Sequence, residues 1–177
     1  MKKIGTLFAI AFVLLTANWT LSCKTADSGK TDTAKSETRD IFGFREIKAG
    51  ISVNLEISVQ NDFQVGVEAD AQLLRDVKTE VKGEVLVIST GGKITSQSPV
   101  NIKISIPEIK NLEIWGASTA VVTRVREDEL KIQAGGSSNI TIDGEVNFLR
   151  IAAAGASVID AENLKSENAK ISASGSS

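Results

Sequence analysis

The stretch Leu112-Glu113-Ile114-Trp115-Gly116-Ala117-Ser118 holds the pattern that decides the fold, because related segments recur three times after it. In each copy two apolar residues flank a charged residue, and a Gly/Ser cluster follows within a few residues. The copies begin at Leu112, Leu130, Leu149 and Ala169, so their starts are 18, 19 and 20 residues apart. The clusters are Gly116-Ala117-Ser118, Gly135-Gly136-Ser137, Gly155-Ala156-Ser157 and Gly175-Ser176-Ser177.

A repeat of about 20 residues with glycine at its turns predicts a β-solenoid, in which each repeat adds one turn to a coil of stacked strands. Glycine suits the corner because the backbone there takes a positive φ or approaches the next turn closely. Stacking would place the Leu and Ile residues of the copies inside. It would also form two outer columns, one of Glu113, Lys131, Arg150 and Lys170 and one of Trp115, Gln133, Ala152 and Ser172.

The residues before the repeat predict further strands. Apolar and polar residues alternate with a period of two, which is typical of a half-buried strand. This alternation covers residues 51–59, 63–67 and 100–106, and residues 84–88 predict one more strand. A short helical turn is predicted at residues 70–76, with Asp70 as its cap and Leu73 and Leu74 facing the core. The predicted fold class is therefore all-β.

The first 22 residues predict a secretion signal. Lys2 and Lys3 precede an unbroken apolar run over residues 7–15, which is shorter than the ~20 residues that span a bilayer. Cys23 follows Ser22, as in a bacterial lipobox, and it is the only cysteine of the chain. An exported protein seldom keeps an unpaired thiol, so Cys23 is predicted to carry a lipid. Ordinary signal-peptidase cleavage beside Ser22 is the alternative.

Residues 24–40 contain no Val, Ile, Leu, Met or aromatic residue. Such a segment predicts a disordered polar tether, and a single domain is predicted over residues 41–177. Without residues 1–22 the chain keeps all 22 acidic residues and 18 basic ones, a net charge of −4. This mildly acidic balance gives no indication of a nucleic-acid partner.

These features together resemble the head GIN domain family of auto-transporter adhesins, exported proteins common in Bacteroidota. The resemblance covers roughly Phe42 to the end, and the Gly-Ile-Asn element of the family falls on Gly50-Ile51-Ser52, where Ser replaces Asn. The resemblance implies a right-handed β-helix, pectin-lyase-like in shape, and a role in adhesion. It also implies an envelope location, as an outer-membrane lipoprotein that faces the periplasm or the cell surface.

The last residue, Ser177, lies within a Gly/Ser cluster. Since a solenoid needs a cap over its final turn, we expect either that C-terminal turns are missing or that the open end pairs with another molecule. Oligomerisation through that end is therefore a predicted option.

The residue types present argue against most catalytic sites. The chain has no His, which excludes a Ser-His-Asp triad and a His-ligated zinc site. Four carboxylates near successive corners could hold Ca²⁺ or act on a polysaccharide, but solvated turn residues are the simpler interpretation: Asp143, Glu145, Asp160 and Glu162. Arg124 and Arg126 are interpreted as ordinary surface charge. No catalytic residue, cofactor or metal site is predicted.

Trp115 is the candidate surface contact. Its predicted outward orientation beside a glycine corner is typical of aromatic residues that contact sugars or proteins. Packing against a neighbouring loop is the alternative. The sequence thus favours a non-enzymatic, lipid-anchored envelope protein that binds a glycan or a protein. A polysaccharide-active enzyme that works through carboxylates is the alternative.

Overall fold

The computed structural model describes residues 34–91 and 99–177, and the prediction of an all-β fold is confirmed in them. The described elements are eleven strands and one short helix. They are β1 (Lys35–Arg39), β2 (Glu46–Ala49), β3 (Asn54–Val59), β4 (Gln64–Ala69), α1 (Leu73–Asp76), β5 (Val77–Lys82), β6 (Val85–Thr90), β7 (Asn101–Ile106), β8 (Asn111–Ile114), β9 (Thr119–Ala134), β10 (Asn139–Gly155) and β11 (Val158–Gly175).

All eleven strands belong to one curled sheet, in the order β1-β4-β7-β3-β9-β8-β2-β6-β5, with β10 and β11 added beside β9. The sheet curls because β9 belongs to both of its halves. Residues 119–123 of β9 pair with β3, and residues 131–134 pair with β8. The long strands β10 and β11 follow the same path, so the core lies between the two halves.

The core follows the predicted alternation. In β3, Leu55 and Ile57 are buried while Asn54 and Glu56 are exposed. The same alternation recurs in the other core strands, since successive side chains of a strand point to opposite faces. The largest fully buried side chains are Phe44, Ile47, Leu55, Ile57, Leu86, Ile88, Ile102, Ile106, Ile109, Leu112, Ile114 and Leu130.

Strands β9, β10 and β11 form the most regular part of the sheet, a parallel stack with tight glycine turns. Gly116, Gly136, Gly155 and Gly175 all have positive φ, and we call these four residues the glycine corner. A Cβ on Gly136, Gly155 or Gly175 would come 2.5–2.6 Å from the carbonyl oxygen of the preceding glycine in the column. Only glycine fits a corner where successive turns lie this close.

The predicted alignment of the segment that begins at Leu112 with the segment that begins at Leu130 is wrong by two residues. The sequence pattern paired Leu112 with Leu130, whereas the structure pairs Leu112 with Ile132. The later pairs, Leu149 with Leu130 and with Ala169, agree with the prediction. A shift by two residues preserves the inside-outside pattern of a strand, so the apolar pattern alone cannot detect it. The predicted outer columns are therefore wrong at their first member.

The first three glycine turns each carry a buried serine, and Ser138 rather than Ser137 occupies this place in the second turn. The column consists of Ser118, Ser138 and Ser157. Ser138 Oγ donates to the carbonyl oxygen of Gly135 at 3.2 Å. Ser157 Oγ donates to that of Ala154 at 3.1 Å. These hydroxyls satisfy carbonyls that the tight turn removes from water.

The N-terminal segment departs from the predicted disorder over residues 24–40. Residues 35–39 form β1, which pairs with β4 in antiparallel register. Arg39 anchors this strand, because its guanidinium donates to the carbonyl oxygens of Val77 at 2.8 Å and Leu74 at 3.2 Å. Backbone pairing and one arginine thus order a segment that has no apolar residues. Cys23 and the predicted signal over residues 1–22 lie outside the described residues.

The predicted helical turn is confirmed as α1. Asp70 Oδ1 accepts the backbone N–H groups of Gln72 at 3.1 Å and Leu73 at 2.8 Å, which satisfies donors that have no partner inside the helix. Leu73 is buried, and Leu74 packs against the core. None of the helices in the described part of the chain is long and apolar enough to cross a membrane.

The observed strand pairing agrees with the predicted β-helix only in part. Strands β9 to β11 are parallel and close to 20 residues apart, as a solenoid requires. The first half is different, since β1–β4, β4–β7 and β5–β6 are antiparallel pairs. A continuous right-handed coil of pectin-lyase-like shape over residues 41–177 stays a prediction.

Candidate functional site

Trp115 lies at the end of β8 on the outer surface, and 43% of the residue is exposed. Its indole ring packs over the backbone of Gly135, where a Cβ would overlap the ring. The indole Nε1 donates to Glu113 Oε1 at 2.6 Å. Trp115 thus packs on the backbone of Gly135, as one predicted alternative states, and it still presents an exposed aromatic surface. Its role as a contact for a ligand stays a prediction.

Glu113 is the centre of a small charged network beside this indole. Its Oε1 also accepts a hydrogen bond from Lys48 Nζ at 2.8 Å. Burial raises the pKa of the Glu113 carboxyl, but the hydrogen bonds from Lys48 and Trp115 outweigh it, so the pKa lies below its ordinary value. We call Lys48, Glu113, Trp115 and Gly135 the Trp115 face. It is an aromatic platform that neighbouring side chains hold in one orientation.

The opposite corner of the long strands contains two stacked β-bulges. In the first, Thr123 and Arg124 of β9 lie opposite Asp143 of β10. In the second, Ala161 and Glu162 of β11 lie opposite Ile142. We call these positions the bulge corner. A bulge bends a strand and changes the direction of its side chains. The first bulge lies between the part of β9 that pairs with β3 and the part that pairs with β8.

Arg124 has a φ of 62°, the one positive value among the described non-glycine residues. Its backbone N–H donates to Asp143 Oδ1 at 2.7 Å, which holds the backbone in this conformation. The guanidinium Nη2 donates to Ser58 Oγ at 2.8 Å and to Gln60 Oε1 at 2.5 Å. The residue is therefore held at both ends, which its interpretation as ordinary surface charge did not anticipate.

The sequence signal for this site is weak. Asp143-Gly144 is a dipeptide typical of turns, and it lies one repeat after Arg124. It indicates an irregular corner but does not identify the arginine that occupies it.

The carboxylates named as alternative catalytic residues do not converge on one point. Asp143 holds the amide of Arg124, and Asp160 Oδ1 accepts the amide of Glu162 at 3.1 Å. Glu145 lies between Arg126 and Lys165 on the neighbouring strands. Within residues 34–91 and 99–177 no group of three His, Cys, Asp or Glu residues could hold a metal ion. These contacts assign Asp143 and Asp160 to the backbone of the bulge corner.

A separate acidic cleft of about 440 Å³ lies near the end of β7. Glu127 is its most perturbed group, and its Oε1 accepts the backbone N–H of Ile109 at 2.8 Å. Burial raises the pKa of the Glu127 carboxyl, and the neighbouring carboxylates of Glu108 and Asp128 raise it further. The backbone hydrogen bond opposes this rise without cancelling it. The arrangement ties the loop before β8 to β9.

Comparison with known families gives a match over most of the described chain. The model of the family described as "Putative auto-transporter adhesin, head GIN domain" matches residues 43–177. No curated protein matches the chain.

Several solved structures share the fold at low sequence identity. A "putative adhesin" from Bacteroides fragilis has a TM-score of 0.64 at 15% identity, covering 80% of this chain and 77% of its own. A "putative adhesin" from Parabacteroides merdae has a TM-score of 0.61 at 15% identity, covering 80% and 78%. A "Putative lipid binding protein" from Parabacteroides distasonis has a TM-score of 0.55 at 17% identity, covering 79% and 78%.

Proposed function

This chain belongs to the head GIN domain family, and we propose that it is a non-enzymatic binding domain of the bacterial cell envelope, an adhesin or a scaffold. The description of the family as an adhesin supports this role. In the fold, the observation that best supports a binding role is the Trp115 face. A fixed and half-exposed indole can contact a sugar ring or a protein side chain.

A lipid on Cys23 would anchor this domain to a membrane, most simply the outer membrane. The apolar run over residues 7–15, the small residue before Cys23 and the polar segment after it support the anchor. Mass spectrometry of the mature protein tests it. A diacylglyceryl group on Cys23 is the expected result, and an N-terminus at an unmodified Cys23 or at Lys24 would refute the anchor.

The binding role is tested with the mature domain immobilised against arrays of glycans and envelope proteins. We expect at least one binder, and Trp115→Ala should weaken it at least about tenfold, as truncation of a central aromatic contact does. Phe148→Ala is the matched control, since Phe148 is exposed to a similar extent, 47%, on another part of the surface.

Three results would count against this proposal. They are arrays without any binder, equal losses for Trp115→Ala and Phe148→Ala with every binder found, and turnover of a polysaccharide in the presence of Ca²⁺. Turnover that Asp143→Asn abolishes would instead support the alternative of a polysaccharide-active enzyme.

We also infer that β9, β10 and β11 are successive turns of a solenoid. Their parallel register and the glycine corner support this. Stacked repeats contact mainly their nearest neighbours, so a solenoid accepts an added repeat. Inserting a second copy of residues 136–154 before Gly155 should therefore give a folded protein with a cooperative thermal transition. A chain that no longer folds would contradict the inference.

A further inference from the structure

Arg124 occupies a backbone conformation, with a φ of 62°, that is unfavourable for a non-glycine residue. Strain of this kind persists only where the surroundings hold the residue in place. The Asp143 carboxylate does so through the backbone N–H, while Ser58 and Gln60 hold the guanidinium. Both side-chain bonds use Nη2, so no described residue accepts a hydrogen bond from Nη1 or Nε. The free donors of a fixed arginine thus remain available.

Two more cations lie beside this arginine, and neither has an ion-pair partner among the described residues. Arg126 on β9 and Lys165 on β11 flank Glu145 on the strand between them. The Cα atoms of Arg126, Glu145 and Lys165 are in register. However, no described carboxylate oxygen lies within 4.0 Å, the limit of an ion pair, of the charged nitrogen atoms of either cation. Neighbouring strands are about 4.8 Å apart, so Arg126 and Lys165 are separated by roughly 10 Å along the stack.

These residues line an open cleft of about 490 Å³ at the bulge corner. We call it the corner cleft, and its lining side chains that can recognise a ligand are Gln60, Asn61, Arg124, Arg126, Glu145 and Lys165. Three cations and one carboxylate make it positive in a chain whose formal net charge is −2. The lining of the corner cleft thus has the sign of charge that attracts an anionic ligand.

We propose that the corner cleft binds an acidic glycan through its carboxylate or sulfate groups. The remaining donors of the Arg124 guanidinium, on Nη1 and Nε, lie on different edges, so each can donate a single charge-assisted hydrogen bond to an oxygen of such a group. Arg126 and Lys165 would meet further anionic groups along the same polymer. The amides of Gln60 and Asn61 suit sugar hydroxyls. This names a ligand class for the proposed binding role, but at a surface that does not include Trp115.

The test is titration calorimetry of the mature domain at low salt, since exposed charges are screened within about 10 Å at 0.1 M. The probes are a heparin hexasaccharide, a galacturonate hexamer, a neutral dextran oligomer and inorganic phosphate. We expect one or both acidic oligosaccharides to bind. Arg126→Ala combined with Lys165→Ala should weaken that binding at least about tenfold. Arg75→Ala combined with Lys78→Ala removes the same charge on α1 and β5 and should change the affinity less than twofold.

Equal losses in the two double variants would overturn the proposal, since they would indicate attraction by net charge alone. Absence of binding by both acidic probes would also overturn it. Inorganic phosphate that competes fully at equal concentration would overturn the assignment to a glycan. Trp115→Ala should leave this binding unchanged, so the corner cleft and the Trp115 face can fail separately.

Arg124→Lys isolates the geometry of the guanidinium from its charge. It keeps the positive charge but loses the planar array of donors. We expect weaker binding of the acidic oligosaccharide and a lower melting temperature, because the ammonium group does not reproduce the paired bonds of Nη2 to Ser58 and Gln60. Full binding by Arg124→Lys would show that Arg124 contributes charge only and would refute its assigned role.

Discussion

The two corners of the long strands differ in the side chains that they expose. At the glycine corner the turns stack so closely that a Cβ would meet the next backbone, and the adjacent serines are buried. At the bulge corner the backbones also approach closely at Gly144, where a Cβ would overlap the carbonyl oxygen of Val125, but the strands carry extra residues and the exposed side chains are mostly charged. Tight stacking leaves little freedom of sequence, whereas a bulge projects side chains outward. The bulge corner is therefore the corner that can acquire a ligand without disturbing the stack.

The largest expected effect tests the tightness of the glycine corner. Gly136 and Gly43 have the same φ of 78°, but nothing lies within 4 Å of a Cβ on Gly43. Gly43→Ala should therefore cost only the dihedral strain, about 1 kcal/mol. Gly136→Ala adds a collision with the backbone of Gly116 and should lower the free energy of unfolding by at least about 3 kcal/mol.

Urea unfolding of the two variants measures the difference. Equal losses would mean that the turns can separate at no cost, and that close stacking does not require glycine at the glycine corner.

The next effect concerns the buried serines. Ser118 Oγ donates to the carbonyl oxygen of Ile51 at 2.6 Å and accepts the backbone N–H of Val53 at 3.2 Å. Ser118→Ala leaves two buried groups without this partner and should cost about 2 kcal/mol. Ser157→Ala loses one bond within its own turn and should cost about 1 kcal/mol. Thermal melting of both variants checks the order, and a larger loss for Ser157→Ala would contradict it.

The parts of the fold that could be predicted are those that depend on local patterns of residues rather than on contacts between distant segments. Alternation and glycine spacing follow from local rules, so β3, β4, β6, β7, α1 and the glycine turns between the long strands were predictable, whereas β2 and β5 were not predicted. The register of Leu112 was not, because Gly135-Gly136 offers two corner positions and only the stacked structure selects Gly136. The order of residues 35–39 could not be predicted from their composition, because it depends on backbone pairing with β4 and on the hydrogen bonds of Arg39.

The candidate sites were predictable to different degrees. Trp115 stands out in the sequence as the exposed aromatic of a repeat. Arg124 does not, since its role depends on Asp143, Ser58 and Gln60, which lie 19, 66 and 64 residues away along the chain. A site assembled from side chains so far apart has no local signature.

A smaller effect tests the strain at the bulge corner. At an ordinary strand position alanine is preferred to glycine, but a positive φ reverses this preference. Arg124→Gly should therefore be more stable than Arg124→Ala by about 1 kcal/mol, because both lose the bonds to Ser58 and Gln60. Chemical denaturation compares the two variants directly. A more stable alanine variant would mean that the bulge relaxes, and that Arg124 is not held in a fixed conformation.

The smallest effects are two opposite pH dependences. The lowered pKa of Glu113 means that its ionised form stabilises the folded state, and this stability is lost as the pH falls below the ordinary glutamate value of about 4.3. The raised pKa of Glu127 has the opposite sign, so its ionisation costs stability as the pH rises through the raised value. At pH 7, Glu113→Gln should therefore destabilise the domain and Glu127→Gln should stabilise it.

Urea midpoints at about pH 7 and about pH 3.5 test these signs, and both differences from the unmodified protein should shrink at the lower pH. In Glu127→Gln the side-chain amide oxygen can still accept the N–H of Ile109, so the comparison isolates the charge. Changes of the same sign in the two variants would contradict the assignment. Stabilisation of both variants would mean that burial governs Glu113 as it governs Glu127, and that the bonds from Lys48 and Trp115 do not hold the Trp115 face in place. Destabilisation of both would mean that burial does not govern Glu127.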